Sequence, residues 1–199
     1  SGVRVRTVMA AAGAAWLPFL LLGITSMAGE FRHGTAATTF LVSPLRHRAF
    51  RAKVAALALA GLVVGAMAIA LTLAVAVPWY AAEGVALGPH LDDVTIAFLG
   101  SLAVTALAAV MGVGLGAALR NQTAAVTAAL VWSVVVESLA AGFLPELSRW
   151  LPGAASTAAT GSASIGDTLG VAGGLLLSLA YAVAFALVGR RLLLRKDLA

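Results

Sequence analysis

The sequence predicts an all-α, polytopic membrane helix bundle, on three observations. Only 11% of its 199 residues are charged, where a soluble domain carries about 25%. Mean hydropathy is +1.01. Five apolar stretches stand out, each long enough for a bilayer core that needs about 20 residues of helix.

The stretches run about Thr7–Ala28, Val54–Pro78, Val94–Leu119, Thr123–Leu144 and Gly170–Gly189, and the whole of 1–199 reads as one transmembrane domain. They are apolar on every face and twice the length of a barrel strand. In hydrocarbon only a helix satisfies its own backbone over such a length. The first stretch is too long for a signal h-region and no polar cleavage zone follows it. With no cysteine, disulfides and thiolate metal sites are excluded.

The connections sort by charge. Segments Gly29–Lys53, Arg120–Gln122 and the tail after Gly189 hold ten basic residues against Glu30 and Asp197. The other connections hold Arg4, Arg6 and Arg149 against Glu83, Asp92, Asp93, Glu146 and Asp167. Basic loops face the cytoplasm, so the formal charge of +5 reads as topology and not as nucleic-acid binding. The C-terminus falls inside and Ser1 outside. Arg4 and Arg6 break the rule, and one further span before Ser1 would restore it, giving six spans with both ends inside.

The 29–53 connection is the longest of the basic segments. Ser43-Pro44 reads as a helix start, because serine caps free N–H groups and proline at the first helical position loses no bond. A short surface helix over Thr35–Leu41 fits before it. By composition alone this is a basic juxtamembrane loop for lipid headgroups. The order of residues says more. Glu30-Phe31-Arg32-His33-Gly34-Thr35, then Pro44, then Lys53 opening the next span, resembles the first cytoplasmic loop of bacterial ABC transporter permeases of the type-two exporter class. The run from Leu130-Val131-Trp132 to Glu137 and the later Trp150-Leu151-Pro152 are similar to that family as well. The resemblance covers essentially the whole chain apart from the family's first span.

That resemblance implies a multi-pass protein of the bacterial inner membrane, the transmembrane permease subunit of an ATP-driven exporter. It would pair as a homodimer, or as a heterodimer with a related permease, and couple to a separate ATP-binding subunit. The coupling residues would be Glu30, Phe31, Arg32, Gly34, Thr35, Pro44, Arg46 and Lys53. Glu30 and Arg32 are salt-bridge candidates at the membrane junction. Arg46, Arg48 and Arg51 are placed to meet either the ATP-binding subunit or anionic membrane lipid.

The remaining residues offer little chemistry of their own. No phosphate-loop motif is present, so ATP would act through a partner, and no catalytic, cofactor or metal site is expected. Gly112-Val113-Gly114-Leu115-Gly116 lies inside a span and fits close helix packing, as do Gly61 and Gly65. His33 and His47 sit in the basic loop, and His90 beside Asp92 and Asp93 reads as a solvated external loop. The serines have no base within a span. Asn121 and Gln122 are expected to cap the tight turn. Glu137 is the one intramembrane charge. Such residues are costly and face a cavity or protein interior, so Glu137 is a candidate pathway or subunit-interface residue, or else a carboxylate that reaches the headgroups. Arg149 is the cation nearest it in sequence. Trp79, Tyr80 and Trp150 suit interface anchors, whereas Trp132 lies deeper and suits the core. The outer segment Pro145–Leu169 is expected to hold a short re-entrant or surface helix. Competing readings are a membrane scaffold or sensor whose basic loop binds lipid, and half of a secondary transporter, which would want paired intramembrane charges.

Overall fold

The computed structural model describes residues 16–32, 46–82, 84, 91–161 and 169–195. These residues are helical almost throughout, and no strand occurs among them. We number the helices α1 (Trp16–Arg32), α2 (Arg46–Ala82), α3 (Leu91–Leu119), α4 (Gln122–Leu130), α5 (Glu137–Phe143), α6 (Pro145–Ser148), α7 (Pro152–Ala159) and α8 (Gly170–Arg195). A wide-turn π segment, Val131–Val136, joins α4 to α5 without a break.

Four helices are long and apolar enough to cross a membrane: Arg48–Ala82, Val94–Leu119, Gln122–Phe143 and Gly170–Leu194. They coincide with four of the five stretches expected. In place of the fifth, α1 contributes 17 described residues, about 25 Å of helix, and it runs four residues beyond the expected end at Ala28. α2 is 37 residues long, about 55 Å, and overshoots a 30 Å hydrocarbon core. It continues through Pro78 to Ala82. The helix start expected at Ser43-Pro44 and the surface helix over Thr35–Leu41 lie outside the described residues.

α3 is the axis of the bundle. Within an 18-residue stretch of its span 56% of the residues are buried, against 11% for the corresponding stretch of α2. α1, α2 and α8 all pack on it, and α7 packs on α8. Hydrocarbon gives helices no hydrophobic reason to associate, so close approach through small residues has to do it. Glycines mark each crossing. A methyl group on Gly23 would strike the Ala109 carbonyl and Gly112, and one on Gly112 would strike the Leu20 carbonyl and Gly23. Gly61 and Gly65 face Thr105, while Gly189 faces Gly114 and Gly114 faces the Phe185 carbonyl. The packing role expected for these glycines is what the geometry gives them.

Opposite its packed side, α2 exposes Leu59, Val63, Met67, Leu71, Val75 and Trp79 at every fourth residue, one continuous apolar ridge. Trp79 and Trp150 are exposed near helix ends, but Tyr80 is only 4% exposed and belongs to the core. Trp132 corrects the sequence reading in the other direction. It was expected inside and is 45% exposed, like its neighbours Leu130 and Val131, on a helix that is little packed within the chain.

Candidate functional site

The described coupling residues Glu30, Phe31, Arg32 and Lys53 lie at one end of the bundle, where α1 ends, α2 begins, α3 turns into α4 and α8 ends. Glu30 lies in the last turn of α1 and Lys53 two turns into α2. Lys53 Nζ meets Glu30 Oε1 at 2.5 Å, with the side chains 16% and 31% exposed. Two residues chosen for the loop thus close its base, tying the helix that enters it to the helix that leaves. Beneath the pair lies a cavity of about 300 Å³ lined by Met27, Phe50 and Leu193 besides the two charges.

The partner of Arg32 is Gln122: its Nη1 donates to Gln122 Oε1 at 3.5 Å, on the exposed surface. Asn121 is the cap expected of it, with Oδ1 accepting from the Ala124 N–H at 3.1 Å. Gln122 does not cap the turn but links it to α1.

The residue that sequence reasoning missed is Arg120. It reads there as one more basic charge in a short turn. In the structure its φ is +53°, the left-handed conformation that ends a helix and normally falls to glycine or asparagine. Its own N–H bonds the Gly116 carbonyl at 3.0 Å. The guanidinium then does three things. Nη2 donates to the Leu192 carbonyl at 2.9 Å and to that of Leu193 at 3.4 Å, two carbonyls in the last turn of α8. Its charge complements the negative end of that helix. Its plane lies 5.6 Å from the Phe31 ring centre, within cation–π range. The left-handed backbone costs about 1–2 kcal/mol, and these contacts offset it. Arg120 joins α1, the α3–α4 turn and α8, and Glu30–Lys53 joins α2 to α1.

Compared with known proteins, the chain matches no family model, no curated protein and no solved structure.

Of the other expected coupling residues, Gly34, Thr35 and Pro44 lie outside the described residues. Arg46 is placed only as the first residue of α2. Arg48 and Arg51 are exposed on the first turns of that helix. His33 and His90 lie outside the described residues, and no group of three or more His, Asp or Glu side chains with metal-binding proximity occurs among those described.

Glu137 sits at the far end of the same bundle, and its partners are not cations. Oε1 accepts the Gly153 N–H at 3.2 Å, and the Trp132 side chain donates to the carboxylate as well. Gly153 belongs to the first turn of α7, so Glu137 caps that helix, where a negative charge is favoured. Arg149 pairs with Glu146 at 2.9 Å. The wide turn explains how Glu137 reaches α7. Three successive valines resist the tighter helix, and Ser133 Oγ bonds back to the Ala129 carbonyl at 2.8 Å, a known source of bending. The Glu137 N–H accordingly bonds the Trp132 carbonyl, five residues back. α7 is the short helix expected in this segment. It is largely buried, with Gly153, Ala155, Ser156, Ala158 and Ala159 inside, and so is no surface helix. Glu137→Ala would orphan the buried Gly153 N–H and is expected to cost about 1–3 kcal/mol. Glu137→Gln keeps a carbonyl acceptor and should lose less. Thermal unfolding of the two purified variants in detergent orders them, and equal losses would remove the capping role.

Proposed function

We propose that this chain is the transmembrane subunit of an ATP-driven exporter, with the 29–53 connection as the docking element for a separate ATP-binding subunit. The basic end of the bundle then faces the cytoplasm, and α1 is the core-lining part of a fifth span. Two such subunits, identical or related, would flank the pathway in a bacterial plasma membrane.

The observation that best supports this reading is the Glu30–Lys53 pair together with the Arg120 junction. A coupling loop must pass displacement into the membrane and not absorb it by flexing. Here the two arms of the loop are pinned to each other, and the arm that enters the loop is tied through Phe31 and Arg120 to α3 and α8. A push at residues 33–45 would therefore move α1, α2 and α3 as one unit. ATP can drive such a shift only by favouring one arrangement of the subunits over the other.

The test needs variants that alter the loop surface and spare its base. Arg32 and Arg48 are exposed, so Arg32→Glu/Arg48→Glu should fold normally. Tagged protein extracted in mild detergent is expected to bring down an ATP-hydrolysing subunit. The double variant should bring down several-fold less at unchanged Tm. If well-folded wild-type protein comes alone, and instead binds vesicles containing anionic lipid through Arg48 and Arg51, the lipid-binding scaffold is the better account.

A further inference from the structure

The bundle contains a second recess, unconnected with the charged end. It measures about 420 Å³ and lies between α1, α3, α4, the wide-turn segment and α8, with the start of α7 closing one end. Trp16, Leu20, Met111, Ala129 and Phe185 form its walls and Pro152 its end. Two hydroxyls face this space, and both are already spent. Ser133 Oγ bonds the Ala129 carbonyl at 2.8 Å, and the Tyr181 hydroxyl donates to the Trp150 carbonyl at 2.8 Å. Water needs two to four polar partners to settle in a cavity, and these walls offer few. A void of this size would also forfeit the contacts that close packing supplies.

What fills the recess follows from where it opens. Trp132 lines it and is at the same time 45% exposed on the outer face. Val131, Val134 and Val135 beside it are exposed as well. That face belongs to Gln122–Phe143, one of the helices apolar and long enough to cross a membrane. The recess is thus continuous with the lipid-facing surface, and the phase at its mouth is hydrocarbon. A transmembrane helix is about 10 Å across and 30 Å long, several times too large to enter. A single flexible methylene chain is the right width and can follow irregular walls.

We propose that this recess is a binding site for one acyl chain of a bilayer lipid, which enters sideways past Trp132. The proposal is independent of the transport reading and needs only that the bundle spans a bilayer. Trp16 makes it testable, because it lines the recess yet is 8% exposed, out of reach of lipid on the outer surface. In a variant that keeps Trp16 alone (Trp79, Trp132 and Trp150→Phe), reconstituted in phosphatidylcholine vesicles with chains dibrominated near their middle, its fluorescence should be quenched. The quenching should be comparable to that of a variant keeping only Trp79, which is 65% exposed. Ala128→Phe, which fills the recess from its exposed rim, should weaken the Trp16 signal several-fold and leave Trp79 unchanged. Unquenched Trp16 would mean that protein, such as a second copy, closes the recess, and would overturn the proposal. Quenching that survives Ala128→Phe would overturn it too, since bromine would then arrive by another route. Should these variants fail to fold, wild-type protein in vesicles containing a diazirine-acyl phosphatidylcholine decides the matter. Photolabel on the buried Met111 is the expected result, and label confined to the Leu59–Trp79 ridge is the opposite one.

Discussion

Gly112→Leu is expected to abolish the folded bundle, whereas Gly142→Leu on α5 should leave it unchanged. The contrast is geometric. Around Gly142 nothing lies within 4 Å of where a side chain would begin. At Gly112 the first added carbon would fall on the Leu20 carbonyl, with the Ile24 nitrogen 2.9 Å and the Gly23 Cα 3.0 Å away. Those atoms are backbone and cannot rotate aside, so α1 and α3 must separate. Overpacking an ordinary core costs about 1–3 kcal/mol because side chains yield, and here the cost should exceed that range. Separation also removes the close van der Waals contact that holds the pair together in lipid. The measurement is a detergent size-exclusion profile with thermal unfolding. Gly112→Leu should aggregate or melt far below wild type, with Gly142→Leu superimposable on it. A monodisperse Gly112→Leu with wild-type Tm would mean that the α1–α3 crossing is not where these glycines place it.

The glycines also show what can be read from such a sequence. Length and hydropathy gave four of the five expected spanning helices and the turn at 120–122, because lipid imposes a length and the turn interrupts it. They could not say which face of each helix is packed. α2 and α3 are apolar all round, so no polar face points away from a partner, and only the small residues mark the contact side. Glu30 was a salt-bridge candidate only through the resemblance of the 30–35 run to a permease loop, and the resemblance named no partner for it. Arg120 was not legible. Its role rests on a left-handed backbone at a non-glycine residue and on carbonyls about seventy positions away in sequence. Glu137 was recognised as costly, but the partner sought was a cation. A helix N-terminus is an equally good partner for a carboxylate, and it carries no charged residue to find. Trp132 went astray for a different reason: hydropathy places it deep along a span but does not say that this span packs little against the rest of the chain.

If the 29–53 connection docks an ATP-binding subunit as proposed, reversing the charge of Lys53 should uncouple the two, and reversing Glu30 as well should restore the connection. Lys53→Glu sets two carboxylates face to face in a place where the side chains are mostly shielded. An exposed pair is worth about 0–1 kcal/mol and a fully buried one broken on one side costs about 3–5 kcal/mol. The partial exposure here puts the single reversals at about 1–3 kcal/mol. That loss need not unfold a bundle held by its glycine crossings. It should instead free the two arms of the 29–53 loop from each other. The single variants are therefore expected to keep the wild-type size-exclusion profile while losing most of the captured ATP hydrolysis. Glu30→Lys/Lys53→Glu rebuilds an attractive pair in the same shielded place and should recover most of both Tm and hydrolysis. This behaviour separates two roles that a single substitution confuses. If Glu30 or Lys53 touched the partner subunit directly, the swap would present it with the wrong charge and activity would stay lost although stability returned. If the pair only braces the loop, stability and coupling return together. Losses that simply add in the double variant would mean that the two side chains do not interact, and the base of the loop would then rest on the Arg120–Phe31 and Arg32–Gln122 contacts.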